Sequence, residues 1–100
     1  MPNKPRKEYG LLGVRIQTIE GKQEVCLLLE EELPEYVEKN PWRLQLILDD
    51  YENTQFYFNV RSALRQHHGK SPELFLLLDN KLPMFTQKEP SKLHLMLEEA

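Results

Sequence analysis

The side chains that most often carry catalysis or bind metals are few in this chain, and their spacing does not support either role. His67 and His68 are adjacent, and neighbouring helical residues point about 100° apart, so the two rings do not converge on one metal ion. Cys26 lies in an apolar segment, where a thiol usually packs as a small hydrophobe. We therefore predict no catalytic residue, no metal site and no cofactor.

The acidic run Glu30-Glu31-Glu32 does not predict a cation site either, because three successive extended side chains diverge from one another. Gly10 and Gly13 are not followed by the lysine and hydroxyl residues of a phosphate-binding loop. None of the serines stands in a nucleophile motif. The sequence predicts a protein that is not an enzyme.

Charged surfaces are the stronger candidates for function. Arg61 and Arg65 share one face of a predicted helix in residues 53–70, which contain no carboxylate. Phe58 is expected to be partly exposed beside them, as an aromatic anchor for a partner. Residues 20–38 are strongly acidic and form a second candidate surface. The predicted partner-binding residues are Phe58, Arg61, Arg65, Glu30, Glu31, Glu32 and Glu35.

Length and composition limit the domain organisation and the compartment. The chain has 100 residues, 40% of them hydrophobic and 29% charged, with a net charge of −3, which suits one folded domain. It has no apolar run long enough to span a bilayer. Its single cysteine cannot form an internal disulfide, which favours a reducing, cytoplasmic location. We predict a flexible basic head over residues 1–9 and one domain over residues 10–100, without an internal repeat.

The elements expected to position these residues follow from hydrophobic periodicity. Residues 11–29 predict a hairpin with its turn at Gly21, and residues 42–48 and 73–78 predict two further strands. Phe56, Val60 and Leu64 recur at every fourth position, which predicts an amphipathic helix over residues 53–68. Residues 91–100 alternate as a strand does but are rich in helix-forming residues, and we predict a short helix there.

This order of elements predicts an α+β fold in two layers. A mixed sheet of four to five strands, with an N-terminal hairpin, would carry the long helix on one face. Leu46, Val60, Leu64 and Leu76 are expected to meet in one core.

Residues 43–79 also resemble the C-terminal tail domain of the bacterial replicative DNA polymerase III alpha subunit. The resemblance rests on the alternating leucines of residues 44–48 and on Leu64-Arg-Gln-His-His-Gly-Lys70 followed by a strand. Pro90-Ser91 with Leu93 and Leu97 extends it to about residue 98. The resemblance implies a non-catalytic domain that makes protein–protein contacts in a replication complex. Polymerase activity is not implied, because the chain has no polymerase body.

The sequence therefore predicts a non-catalytic interaction module that docks on a macromolecular complex, and a complex that handles replication or nucleic acid is the candidate. One alternative is direct nucleic-acid binding by the basic helix and by the basic residues Lys4, Arg6 and Lys7. Another is a small acidic inhibitor, of the type encoded by phages, that blocks a basic groove. No membrane partner is expected.

Overall fold

Seven strands account for most of the chain, and every neighbouring pair is antiparallel. The computed structural model describes residues 5–49, 52 and 54–99. The strands are β1 (Arg6–Tyr9), β2 (Leu11–Ile19), β3 (Lys22–Leu29), β4 (Leu44–Asp49), β5 (Gln55–His68), β6 (Ser71–Leu78) and β7 (Leu93–Glu98). Their spatial order is β1-β7-β4-β5-β6-β3-β2. The described residues contain no α-helix.

The two edge strands of this sheet are consecutive in the chain, so the sheet closes on itself. β1 and β2 are separated only by Gly10, whose carbonyl oxygen accepts a hydrogen bond of 3.0 Å from the amide of Glu30. On the opposite side, β5 pairs with β4 through its first residues and with β6 through the rest. The result is a small barrel whose edge strands β1 and β2 are joined through Gly10 and are each paired on one side only.

The barrel is filled by leucines that alternate along its strands. Residues 44, 46 and 48 of β4 and residues 93, 95 and 97 of β7 are all leucines with almost no exposed surface. In a strand, residues two apart share a face, so this pattern places one face of each strand inside the barrel. A single core cluster includes side chains from six of the strands, and Leu11, Val14 and Ile16 of β2 pack against it.

Two loop segments cross the ends of the barrel, each built from a pair of short 3-10 helices. The first contains Glu35–Val37 and Pro41–Arg43, and the second contains Met84–Gln87 and Pro90–Lys92. Each connects a strand on one side of the barrel to a strand on the other. Their inward side chains complete the core, and these are Leu33, Val37, Leu82 and Thr86.

The chain is an internal duplication, which corrects our prediction that it has no repeat. Residues 55–98 follow residues 6–49 by 49 positions, and strands, bulges and 3-10 helices recur at that spacing. At 12 of the 44 aligned positions the two halves have the same residue. The register of β1 with β7 becomes that of β5 with β4 when each residue is replaced by its counterpart 49 positions away. The halves are therefore related by an approximate twofold axis.

The predicted α+β class is wrong, because the expected helix over residues 53–68 is strand β5; residue 53 itself lies outside the described residues. Phe58, Val60 and Ala63 face the core, and a bulge between residues 60 and 62 supplies the extra residue in their spacing. A bulge turns the strand period of two into a step of three, which resembles helical periodicity. The aromatic and β-branched residues of this segment favour a strand.

Two further predictions are also corrected. Residues 93–98 form β7 rather than a helix, because pairing with β1 and β4 outweighs their helix propensity. The predicted flexible head over residues 1–9 includes β1, which is ordered by its pairing with β7; residues 1–4 lie outside the described residues. The hairpin of residues 11–29 is confirmed, and the strands predicted at residues 42–48 and 73–78 are observed at residues 44–49 and 71–78.

Candidate functional site

The structure inverts the expected exposure of two residues of β5. Phe58 retains 8% exposure and belongs to the core, whereas Leu64 is 47% exposed. Their positions on either side of the bulge account for this, because the bulge reverses which alternate residues face inward. Phe58 is therefore not an exposed anchor, and Leu64 does not pack with Leu46, Val60 and Leu76.

Arg65 is held within the molecule. Its Nε lies 2.9 Å from Oε1 of Glu38, and its Nη1 donates to the carbonyl oxygen of Leu33 at 3.1 Å. Its side chain is 24% exposed. These contacts attach β5 to the first loop segment, so Arg65 has a structural role beside the predicted one in partner binding.

The predicted acidic surface also contacts basic residues of its own chain. Glu31 pairs with Lys7 at 3.0 Å, and Glu32 lies 2.6 Å from the ring of His67. Glu30 and Glu35 are exposed. The predicted acidic and basic surfaces are therefore neighbours, and they partly neutralise each other.

Arg61 lies elsewhere, at the rim of a concavity with a positive charge. Its side chain is 74% exposed and contacts Asp79 at 3.0 Å. The concavity has a volume of about 230 Å³ and is lined also by Lys22, Lys81 and Leu77. Three cations and one carboxylate leave a net positive charge. We call this site the cationic concavity.

An apolar strip adjoins the cationic concavity on the outer face of the barrel. Leu64 of β5 is directly opposite Phe75 of β6, and Leu77 lies two residues further along β6. Phe75 and Leu77 are half-buried, although neighbouring residues 74 and 76 are fully buried in the core. Leu77 lines both the cationic concavity and the depression next to Leu64. The strip of Leu64, Phe75 and Leu77 and the cationic concavity thus form one continuous surface.

The duplication shows that several residues of this surface have counterparts of different chemistry in the other half. The counterparts of Asp79, Asn80 and Lys81 are the acidic residues of positions 30–32, and the counterpart of Arg61 is Leu12. Leu64 corresponds to Arg15. The backbone at these paired positions is equivalent, so the fold does not require a basic residue at positions 61 and 81 or a leucine at position 64.

The thiol of Cys26 is not activated as a nucleophile. Burial raises the pKa of the Cys26 thiol to about 11 from its ordinary value of 9.0, helped by the nearby Glu73. A thiol with this pKa is almost entirely protonated at neutral pH and is a poor nucleophile.

The ring of His94 bridges two carboxylates, with Nδ1 3.1 Å from Glu8 and Nε2 2.7 Å from Asp49. This contact, with a hydrogen bond from Gln55, lowers the pKa of Asp49. Asp49 therefore belongs to a polar network on the barrel surface. Within residues 5–49, 52 and 54–99, no three histidine, cysteine or acidic side chains are placed to hold a metal ion.

Sequence reasoning missed Lys22, Lys81, Phe75 and Leu77 as surface candidates. The sequence predicts a buried strand at residues 73–78, because five of its six residues are apolar or aromatic. Alignment of the two halves could have identified Lys81 and Arg61, since both replace residues of a different charge at the equivalent position.

No helix among the described residues has the length and apolar character needed to cross a membrane. Comparison of the chain with protein-family models, with curated proteins and with solved structures found no match.

Proposed function

We propose that this protein is a non-catalytic interaction module that binds an acidic segment of a partner protein. The binding surface is the cationic concavity together with the strip of Leu64, Phe75 and Leu77. The strongest support is that Leu77 lines both the cationic concavity and the depression next to Leu64, so the concavity and the strip form one surface. A partner with carboxylates beside apolar side chains would match both parts.

The energetic roles of the two parts differ. Apolar side chains of the strip lose water-exposed surface when covered, which supplies affinity. The positive charges of Lys22, Arg61 and Lys81 favour the approach of a negatively charged segment and set its orientation. Arg61 keeps the role predicted from the sequence, in a different structural setting. The acidic residues 30–32 and 35 stay predicted as a second contact surface.

A peptide-display selection provides a defined probe for this surface. Random peptides are selected on the wild-type protein alone, and the selected peptides are then tested on Arg61→Glu with Lys81→Glu. We expect enrichment of acidic residues next to leucine or phenylalanine. Calorimetry of a selected peptide should show a loss of affinity of about tenfold or more in the variant, which corresponds to about 1.4 kcal/mol.

Two further variants complete this test. Leu64→Asp should weaken the same peptide, because it places a carboxylate in the apolar strip. Lys39→Glu with Lys88→Glu is the matched control, since both lysines are exposed on the loop segments away from this surface. Peptides that bind the Arg61/Lys81 variant as tightly as the wild type would refute the proposal.

A further inference from the structure

A second concave site lies beside Trp42, on a part of the surface that the cationic concavity does not include. Trp42 is the only tryptophan of the chain. Trp42 is 70% exposed, which is more than any other large hydrophobic residue among those described. It follows Pro41 within a 3-10 helix, immediately before the buried start of β4. The indole is thus presented to solvent by an ordered backbone.

Two arginines line the same concavity as the indole. Arg6, Trp42 and Arg43 line a concavity of about 130 Å³ together with Asn59, Gln45 and Glu98. The guanidinium of Arg43 lies 5.3 Å from the ring centre of Tyr36, a cation–π contact that orients it. Arg6 is exposed on β1. With one carboxylate against two guanidinium groups, the site has one net positive charge.

Comparison of the two halves shows that the fold does not require tryptophan at position 42 or arginine at position 6. The counterpart of Trp42 is Ser91, and the counterpart of Arg6 is Gln55. Ser91 stands at the same place in its 3-10 helix, after Pro90 and before the buried Leu93. The backbone therefore forms without an aromatic side chain at this position. A packing requirement does not explain Trp42.

The geometry points to a site for single-stranded nucleic acid, with one base stacked on Trp42 and the flanking phosphates bound by Arg6 and Arg43. Tryptophan offers a flat face that stacks on any base. Arginine binds phosphate oxygens through paired donors. The volume is well below the roughly 300–1,000 Å³ of pockets that enclose a whole small molecule, so the site suits one group of a longer ligand.

This inference is independent of the proposed function, because the two sites share no lining residue. It also differs from the nucleic-acid alternative drawn from the sequence, which relied on a basic helix that the structure lacks. Of that alternative, only Arg6 contributes here. The single net charge predicts weak binding that is sensitive to salt.

Tryptophan fluorescence tests the inference directly, because the only tryptophan is in the site. The full chain is titrated with a short single-stranded DNA of mixed sequence, and with the same sequence as a duplex. We expect saturable quenching by the single strand and much less by the duplex, whose bases are already stacked. With two phosphate contacts, the logarithm of the binding constant should fall with the logarithm of salt concentration at a slope of about −1.4.

Variants assign the effect to the named residues. Arg6→Ala with Arg43→Ala should abolish the quenching at physiological salt, and Arg6→Ala alone should reduce the salt slope by about half. Lys39→Ala with Lys88→Ala is the control and should bind as the wild type does. Trp42→Ala should lower the affinity for a fluorescently labelled strand about tenfold or more, measured by anisotropy.

Three results would overturn the inference. One is the absence of quenching by single-stranded DNA at low salt. Another is quenching that persists when both arginines are removed. The third is competition by poly-glutamate as effective as that by the oligonucleotide, which would identify an acidic peptide as the ligand of this site.

Discussion

Cys26 and Phe75 are directly opposite each other on β3 and β6, and each is the other's counterpart in the duplicated chain. Leu46 and Leu95 have the same relationship on the far side of the barrel. The approximate twofold axis therefore passes between both pairs. Leu46 and Leu95 are identical and fully buried, whereas Cys26 and Phe75 have diverged to a thiol and an aromatic ring.

Divergence between the halves follows this division between inside and outside. Leucines occupy both copies of the core positions in β4 and β7, because a closely packed barrel tolerates little change in volume. Surface positions are free to differ. They differ most in charge and aromatic character at Arg61, Lys81 and Trp42, the residues on which both proposed sites depend.

At one core position a valine of the first half corresponds to a threonine of the second half, and this difference predicts a stabilising substitution. Thr86 is fully buried, and its hydroxyl has no hydrogen-bond partner among the described residues. Its counterpart Val37 is equally buried. Replacing Thr86 by valine removes an unsatisfied polar group at nearly constant volume, so Thr86→Val should raise the free energy of unfolding by about 1–3 kcal/mol.

Urea unfolding followed by circular dichroism measures this change. Val37→Thr is the reciprocal control, and we expect it to lower the free energy of unfolding by a similar amount. A Thr86→Val protein that unfolds at lower urea than the wild type would show that the hydroxyl is satisfied in solution.

The sequence predicted the strands of the N-terminal hairpin correctly but failed at β5, where a bulge interrupts the strand periodicity. The hairpin of β2 and β3 was predicted correctly, because Gly21 marks a turn in which both Glu20 and Gly21 have positive φ. β5 was mistaken for a helix because its bulge moves the core positions from Phe58 and Val60 to Ala63. A bulge depends on the partner strand, which local sequence does not specify.

The candidate site was predicted only in part, for a related reason. Arg61 was identified by its charge, but its neighbours Lys22 and Lys81 come from distant segments that only the closed sheet brings together. Arg65 looked equally exposed in sequence, yet it is bound by Glu38. The repeat was visible in the recurring leucines and prolines, and aligning it would have indicated which surface residues were specific to one half.

Truncation of two leucines should separate the observed fold from the predicted one. Leu46 is fully buried at the axis, so Leu46→Ala should lower the free energy of unfolding by about 2–5 kcal/mol. Leu64 lies on the outer face, so Leu64→Ala should change it by only about 0.5 kcal/mol. Chemical denaturation of both variants measures the difference. Equal large losses would instead place Leu64 in a core, as the helical interpretation required.

The two arginines of β5 should differ in their coupling to acidic residues. A double-mutant cycle on Arg65 and Glu38 should give a coupling of about 0.5–1 kcal/mol, because the pair is only partly exposed and well aligned. The same cycle on Arg61 and Asp79 should give a coupling near zero, since Arg61 is mostly exposed. Thermal or urea unfolding of alanine variants provides both values. A larger coupling for Arg61 than for Arg65 would contradict the assignment of Arg65 as the structural residue.

Cys26 should make stability decrease at alkaline pH. Folding raises the pKa of its thiol from about 9.0 to about 11, mainly through burial, so the folded state holds the proton more tightly than the unfolded state. The resulting stabilisation is complete below the unfolded pKa and is lost as pH rises through the folded value.

The difference in unfolding free energy between the wild type and Cys26→Ala should therefore shrink between about pH 9 and pH 11. The same comparison removes the effects of Lys7 and Tyr9, whose pKa values are also raised and which both proteins share. At neutral pH, iodoacetamide should modify the folded protein far more slowly than the urea-unfolded chain, because little thiolate is present. A difference that stays constant across this pH range, together with rapid alkylation of the folded protein, would place Cys26 in contact with solvent on the outer face beside Phe75.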